Sequence, residues 1–436
     1  MAAHISRISE SLRCFASDKS GNIAVLFCLA LLPILTAMGC AVDYSMASRL
    51  YAKLDAIADA AALVAVSQVA TATSNSASQA SALSMFNGQA SLLANVTLNS
   101  VTATVTSSGT SKTAVVSYSA TMPTTFMSVV GKPTVTINGS ATAAAALPTY
   151  IDFYLLLDNT PSMGIGATPT DVAKMVNNTS DQCGFACHDL NDSNNYYNLA
   201  KSLGVTTRID VVRAATQQLM DTATTTEQVS NQFRMAIYTF GSTAAAAGLT
   251  TITSLTSSLS SAKTSAANID LMTVNGQGQF DDMDTNFDGI FPQINLAIAS
   301  PGDGSTAAQP QKVLFFVSDG VADEYNWGCT QPGLNGDGRC QEPITVSLCT
   351  AIKNRGIKIA VLYTTYLALT TNSWYNSTIA PFNAGPFGPS PNSLIAQNMQ
   401  SCATPGLFFE VSPTQGISTA MNALFQKAVK SSHLTQ

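Results

Sequence analysis

Asp158, Thr160 and Ser162 stand one residue apart in YLLLDNTPSM, residues 154–163, directly after an apolar run. One carboxylate and two hydroxyls on a tight turn present only hard oxygen donors, the ligand type taken by a cation such as Mg²⁺. A second apolar run, KVLFFVSDG (312–320), ends in the same manner on Asp319 before a glycine. Between the two, MDTNFDGIFPQINLAI (283–298) places Thr285 in a polar loop that leads into a helix. Asp281, Asp282, Asp284 and Asp288 crowd that loop and compete with Thr285 as donors. Asp-x-Thr-x-Ser alone is also how a helix N-cap or an Asx-turn is written. The second strand ending in Asp-Gly is what turns a local motif toward a shared site.

Such donors need strands to hold them. Residues 151–157, apolar except for Asp152, read as the buried central strand of an open sheet. In open α/β sheets, ligands collect outside the carboxyl ends of the strands. Strands are expected at 233–240, 312–318, 357–363 and 407–411, alternating with helices at 208–222, 289–299, 343–355, 393–401 and 417–431. That alternation calls for a doubly wound, largely parallel sheet covered on both faces. Insertions at 163–207, 321–342 and 367–392 leave the sheet at strand carboxyl ends, on the face expected to bear the metal.

The three turns resemble the metal-ion-dependent adhesion site of a von Willebrand factor type A domain, whose first motif is Asp-x-Ser-x-Ser. Thr160 departs from it, keeping the hydroxyl and adding a methyl. The resemblance implies Mg²⁺ or another divalent cation held by Asp158, Thr160, Ser162, Thr285 and Asp319, with one position open for a partner's carboxylate.

Composition bounds the rest. A chain of 436 residues has room for two or three domains. Net charge −6 with only 11% charged residues leaves no electrostatic footprint for nucleic acid. Low charge with a mean hydropathy of +0.19 suits an envelope protein better than a cytosolic one. Six of the nine cysteines, Cys183, Cys187, Cys329, Cys340, Cys349 and Cys402, fall in the C-terminal part, an even set that points to disulfides in an exported domain. Nearness in sequence favours 183 with 187 and 329 with 340, which leaves 349 with 402.

Residues 1–20 form a polar tail with Arg7, Arg13 and Lys19, and residues 23–42 then carry no charge over the length of one membrane crossing. Basic residues ahead of the span orient the N-terminus to the cytoplasm and the remainder outward. A cleaved signal peptide is the rival, disfavoured by the length of the apolar core and by the poor cleavage site in MGCAVDYS. The helical pattern runs on through Tyr51, Leu54, Ile57, Ala61 and Val64. The segment GNIAVLFCLALLPILTAMGCAVDYSMASRLYAKLDAIADAAALVA (21–65) resembles the N-terminal region of TadE/TadG-like proteins of the Flp (Tight adherence) pilus system, through its Gly-Asn, its Ala-Val-Asp-Tyr exit and its small-residue helix. Prepilins normally carry Glu five residues after the cleaved Gly; here that position is Leu26, so the expectation is an uncleaved anchor. Period-two alternation at Val101, Ala103, Val105, then Val116, Tyr118, Ala120, then Val135 and Ile137 predicts a small antiparallel meander. The expected order is therefore a tail (1–20), a transmembrane helix (21–42), a pilin-like module (43–147) and a von Willebrand A-like domain (148–436).

CGFACH (183–188) has one residue too many for haem attachment, and zinc competes poorly with disulfide pairing of the same thiols. Asp323 and Glu324 are more simply solvated, and NGDG (335–338) lacks the remaining ligands of a calcium loop. The leading expectation is a non-enzymatic, single-pass inner-membrane component of Flp/Tad pilus assembly or adhesion, its partner a pilus component or another protein offering a carboxylate. Two alternatives stand beside it. One is a Mg-dependent phosphohydrolase of haloacid-dehalogenase type, which needs a second Asp where Thr160 stands. The other is a surface scaffold with a degenerate metal site.

Overall fold

A computed structural model describes residues 22–67, 74–186, 188–276, 284–325, 339–366, 368–370, 372–383, 392–411 and 416–433. Contacts divide the chain into two compact units that meet between Leu147 and Pro148.

The first unit begins with α1 (Asn22–Ala65), whose 18-residue apolar window has a mean hydropathy of 2.5, long and apolar enough to cross a membrane. Its N-terminal half is bare: Leu26, Phe27, Leu32 and Leu35 are all exposed. From Asp43 onward the pattern changes. Ala47, Leu50, Leu54, Ala58, Ala61 and Ala65 recur every three or four residues and are buried, one helical stripe covered by the rest of the unit. The cover is α2 (Asn75–Ala90) with an antiparallel meander of β1 (Thr97–Ser108), β2 (Ser111–Pro123) and β3 (Thr134–Ala146). On β2 every second residue is buried, Ala114, Val116, Tyr118, Ala120 and Met122, which is the period a half-buried strand requires. Tyr118 donates its hydroxyl to Asp55 of α1 at 2.9 Å and Lys112 donates its ammonium to Ser78 of α2 at 2.8 Å, so the polar ends on that face are satisfied.

The second unit is built on a six-stranded mixed sheet. Its strands are β4 (Ile151–Leu157), β5 (Phe233–Gly241), β6 (Ala247–Thr256), β7 (Gln311–Ser318), β8 (Lys358–Thr364) and β9 (Phe408–Val411), in the spatial order β9-β8-β7-β4-β5-β6. All neighbouring pairs are parallel except β5 with β6. The expectation of a largely parallel sheet thus needs correcting at one edge, where β6 runs antiparallel. Residues of β6 are only partly buried and rich in Thr, so no apolar run announces the strand.

Alternation along β4 feeds two cores. Phe153, Leu155 and Leu157 pack with α4 (Arg208–Thr226) and α9 (Ile417–His433), while Tyr154 and Leu156 pack with α6 (Phe287–Ala297), α7 (Val346–Lys353) and α8 (Leu394–Cys402) on the other face. The first of these cores also takes in Met175 of α3 (Pro169–Asn178) and Leu259 of α5 (Leu259–Ala266). Cys349 of α7 and Cys402 of α8 form a disulfide. Cys183 carries a free thiol, so the expected pairing of 183 with 187 is not made; Cys187 itself lies outside the described residues. Cys340 is disulfide-bonded, while Cys329 lies outside the described residues.

Asp152, the break in the apolar run, has a structural reason. In the register of the sheet it faces Arg234 on β5 and Lys312 on β7. Its Oδ1 accepts from Arg234 Nε at 2.7 Å, and its Oδ2 accepts from Arg234 Nη2 at 2.8 Å and from Lys312 Nζ. Asp152 is 1% and Lys312 5% exposed. Asp152→Ala leaves a buried ammonium unpaired beside a second cation, and we expect a loss of about 3 kcal/mol in denaturant unfolding. Replacing Asp152 and Lys312 together by leucine should recover most of it.

Candidate metal centre

Numbered from β4, the strand order is 6-5-4-1-2-3, so the direction of winding reverses between β4 and β7. The carboxyl ends of these two strands flank the switch point, where a crevice opens in folds of this order. Asp158 follows β4 and Asp319 follows β7. Both are fully buried.

Asp158 is held on both oxygens. Oδ1 accepts from the backbone N–H of Thr160 at 3.0 Å and from its hydroxyl at 2.7 Å; Oδ2 accepts from the Ser318 hydroxyl at 2.6 Å. These three bonds fix the orientation of the carboxylate. Thr160 Oγ1 in turn accepts from Thr285 Oγ1 at 2.9 Å and lies 3.3 Å from Ser162 Oγ. Ser162 reaches the Asp319 carboxylate, whose backbone turn needs Gly320 at φ +77°, with a Cβ there only 2.7 Å from Met399. The five residues singled out in the sequence therefore meet, contributed by three separate turns.

Asp319 Oδ2 is buried and has no hydrogen-bond partner among the described residues. An orphaned carboxylate oxygen is costly in a dry interior. Burial, reinforced by the negative charge of Asp158, pushes the Asp319 carboxyl up to about 7. Asp158 is raised as well, by burial, against the pull of Ser318 and Thr160. Two carboxylates, three hydroxyls and one unsatisfied anionic oxygen make a donor set that fits a small hard cation. Among the described residues there is no group of three or more His, Cys, Asp or Glu able to hold a metal, so hydroxyls have to complete any coordination shell here.

Three supporting residues escaped the sequence reading. Ser318 fixes Asp158 and takes the Gly320 N–H at 2.9 Å. Asn159, the residue skipped by the motif, donates to the carbonyls of Gly241 and Asp270 and accepts from Phe240 N–H, tying the turn to the end of β5. Arg208 opens α4, only 3% exposed, with Nη2 on the Thr365 carbonyl and its charge acting on Asp319 and Asp158. A polar residue at a strand end or a helix start reads as solvated until the fold encloses it. Ser318→Ala should weaken any metal response about tenfold, because the Ser318 hydroxyl fixes the Asp158 carboxylate that orients Thr160; unchanged divalent-cation titration would exclude that role.

The insertions form a rim. Phe185 packs edge-on against Trp374 at 6.3 Å, Trp374 Nε1 donates to Gln341 at 3.2 Å, and Gln341 Nε2 donates to Asp323 at 2.9 Å. Asp323 pairs through its backbone with Thr285, N–H to carbonyl in both directions. Segments 163–207, 321–342 and 367–392 thus touch one another, and the chain of contacts ends on a site residue. Glu324 is buried among Asp288, Glu342 and Asp323, and burial raises it to about 8. The tail at 1–20, Asp281, Asp282 and the NGDG segment (335–338) lie outside the described residues.

No curated protein matches the chain. Among solved structures it is similar to the vWF domain of the type V pili tip protein Mfa5 from Porphyromonas gingivalis, at 11% identity and TM-score 0.37 over 66% of this chain and 97% of that one. A variant of the PilB minor pilin from Streptococcus sanguinis aligns at 13% identity and TM-score 0.33, over 78% of this chain and 79% of that one. The three N-terminal domains of Mfa5 align at 9% and 0.34, over 74% and 54%. All three superpositions are loose. The sequence match is local: residues 21–71 fit the Flp pilus-assembly TadE/G-like family. That N-terminal stretch, which includes the bare apolar half of α1, is thus similar to a TadE/G-like pilus-assembly domain.

Proposed function

We propose that the chain is a membrane-anchored component of Flp/Tad pilus assembly or adhesion, whose second unit is a doubly wound, von Willebrand A-like domain that binds a protein partner through a divalent cation, Mg²⁺ by preference. α1 is the single anchor, with the N-terminus cytoplasmic and the second unit periplasmic or surface-facing. Thr160, Ser162, Thr285 and Asp319 hold the cation, Asp158 orients them, and a carboxylate from a pilus component or another protein completes the shell. The observation that carries this reading is the buried, unpartnered Oδ2 of Asp319 beside converging hydroxyls at the switch point. Arg208 supports it: once the cation has displaced the proton and both carboxylates are ionised, one guanidinium leaves them a single net negative charge, and the bound dication turns the site positive toward an anionic partner.

The test is made in piliated cells. Ser162→Ala and Asp319→Asn should abolish adhesion or piliation while the protein stays in the membrane at normal abundance. Normal piliation and adhesion in both variants would refute the site's role. Metal-dependent phosphatase turnover lost on Asp158→Asn would favour the enzymatic alternative, which lacks its second aspartate because residue 160 is Thr.

A further inference from the structure

The first unit carries an ordered loop that leaves apolar side chains in the open. Between β2 and β3, residues 126–131 form a short 3-10 turn closed by Gly131 at φ +84°, with Val129 N–H on the Phe126 carbonyl and Lys132 N–H on that of Met127. Val129 is 79%, Val130 56% and Phe126 44% exposed. Such a cluster at the tip of a well-bonded loop is unusual unless something apolar covers it.

Its position on α1 says what that is. The Asp43 carboxylate accepts from the backbone N–H of Thr125, Phe126 and Met127 at 3.1, 2.8 and 2.7 Å. Against the effect of burial, these three donors hold it below the ordinary carboxylate range. One turn earlier, Gly39 lies under the Phe126 ring, where a Cβ would come within 2.4 Å of it. The loop is thus clamped to α1 at residues 39–43, where the 20-residue uncharged stretch ends. That stretch is about 30 Å long as a helix, the thickness of a bilayer core. Tyr44, 73% exposed, stands at the same level, and Lys132 is exposed beside the turn. Aromatic and basic side chains at the end of an apolar span belong to the lipid headgroup zone.

We infer that the β2–β3 loop is a second membrane contact: Phe126, Val129 and Val130 enter the outer interfacial layer of the bilayer that α1 crosses, with Asp43 and Gly39 fixing the depth of the loop. The inference rests on α1 being membrane-embedded, and its test separates the two. The full chain is reconstituted in phosphatidylcholine vesicles containing two brominated lipids, one labelled near the headgroup and one near the acyl-chain ends. Trp is introduced singly as Val129→Trp, Leu32→Trp or Ser108→Trp, with emission of the native tryptophans subtracted. Ser108 is exposed at the end of β1, opposite Ser111 at the start of β2 and about 40 Å from the loop along that strand. Val129→Trp and Leu32→Trp should each lose about half their emission while Ser108→Trp is unaffected. Quenching of Leu32→Trp without Val129→Trp would overturn the loop contact and leave the anchor standing. A Val129→Trp emission that is blue-shifted but unquenched would mean a protein partner covers the loop, which also overturns it. Quenching of neither would overturn both.

Discussion

Asp319→Asn is expected to erase the response of the protein to Mg²⁺ and, in the absence of metal, to raise its melting temperature. The two effects have one cause. A carboxyl held near 7 instead of 3.8 carries about 4 kcal/mol against ionisation in the folded state. Replacing it with the isosteric amide removes the repulsion with Asp158, and at pH 8 the metal-free protein should gain about 5 °C or more. Sites that keep an unfavourable charge for function characteristically behave this way. A merely structural Asp319 gives the opposite sign: the amide would destabilise, and Mg²⁺ would shift neither protein. Differential scanning calorimetry with and without Mg²⁺ reads both signs directly.

The pH dependence of the wild type carries the second large effect. Asp319 has a folded-state value raised above its unfolded one, so in the range between them the native state binds more protons. Its stabilising contribution is fully present below about 4 and is lost as pH rises through about 7. Metal-free protein should therefore be more stable at pH 5.5 than at pH 8 as far as this site is concerned. Mg²⁺ competes with the same proton. Its apparent affinity should fall about tenfold for each pH unit below 7, and its stabilising effect should be largest at pH 8. Asp319→Asn should flatten both profiles, which assigns them to this residue. Isothermal titration at pH 6, 7 and 8 is the corresponding measurement, and equal affinity at all three would exclude a protonating Asp319 from the site.

The strands closest to the site were the most legible part of the chain. β4 and β7 are buried on both faces, so their sequences are nearly continuous apolar runs, and each is followed at once by Asp. β6 was not legible. As an antiparallel edge strand it is only partly covered, and Thr-rich alternation such as TTITSLT resembles a polar loop. Within the site, Asp158, Thr160 and Ser162 share one turn and could be read together, whereas Thr285 had to be chosen among four neighbouring aspartates. Its hydroxyl bond to Thr160 is tertiary information. Arg208 was read only as the start of a helix, because nothing local says that a guanidinium there will be enclosed beside two carboxylates. The same limit applies to Cys183: adjacency suggested a partner four residues on, yet its sulfur instead accepts from Phe185 N–H at 3.4 Å. Asp43 is the converse case, since its place at the end of the apolar stretch was plain while the three N–H groups it binds come from more than 80 residues away.

The most direct test of the metal centre is anomalous diffraction from crystals of the protein soaked in Mn²⁺ as a stand-in for Mg²⁺. A single strong peak should lie about 2.1 Å from Ser162 Oγ and Asp319 Oδ2 and within reach of Thr160 and Thr285, and it should vanish in Asp319→Asn. No peak at these residues, or one placed instead among Asp288, Asp323, Glu324 and Glu342, would contradict the account.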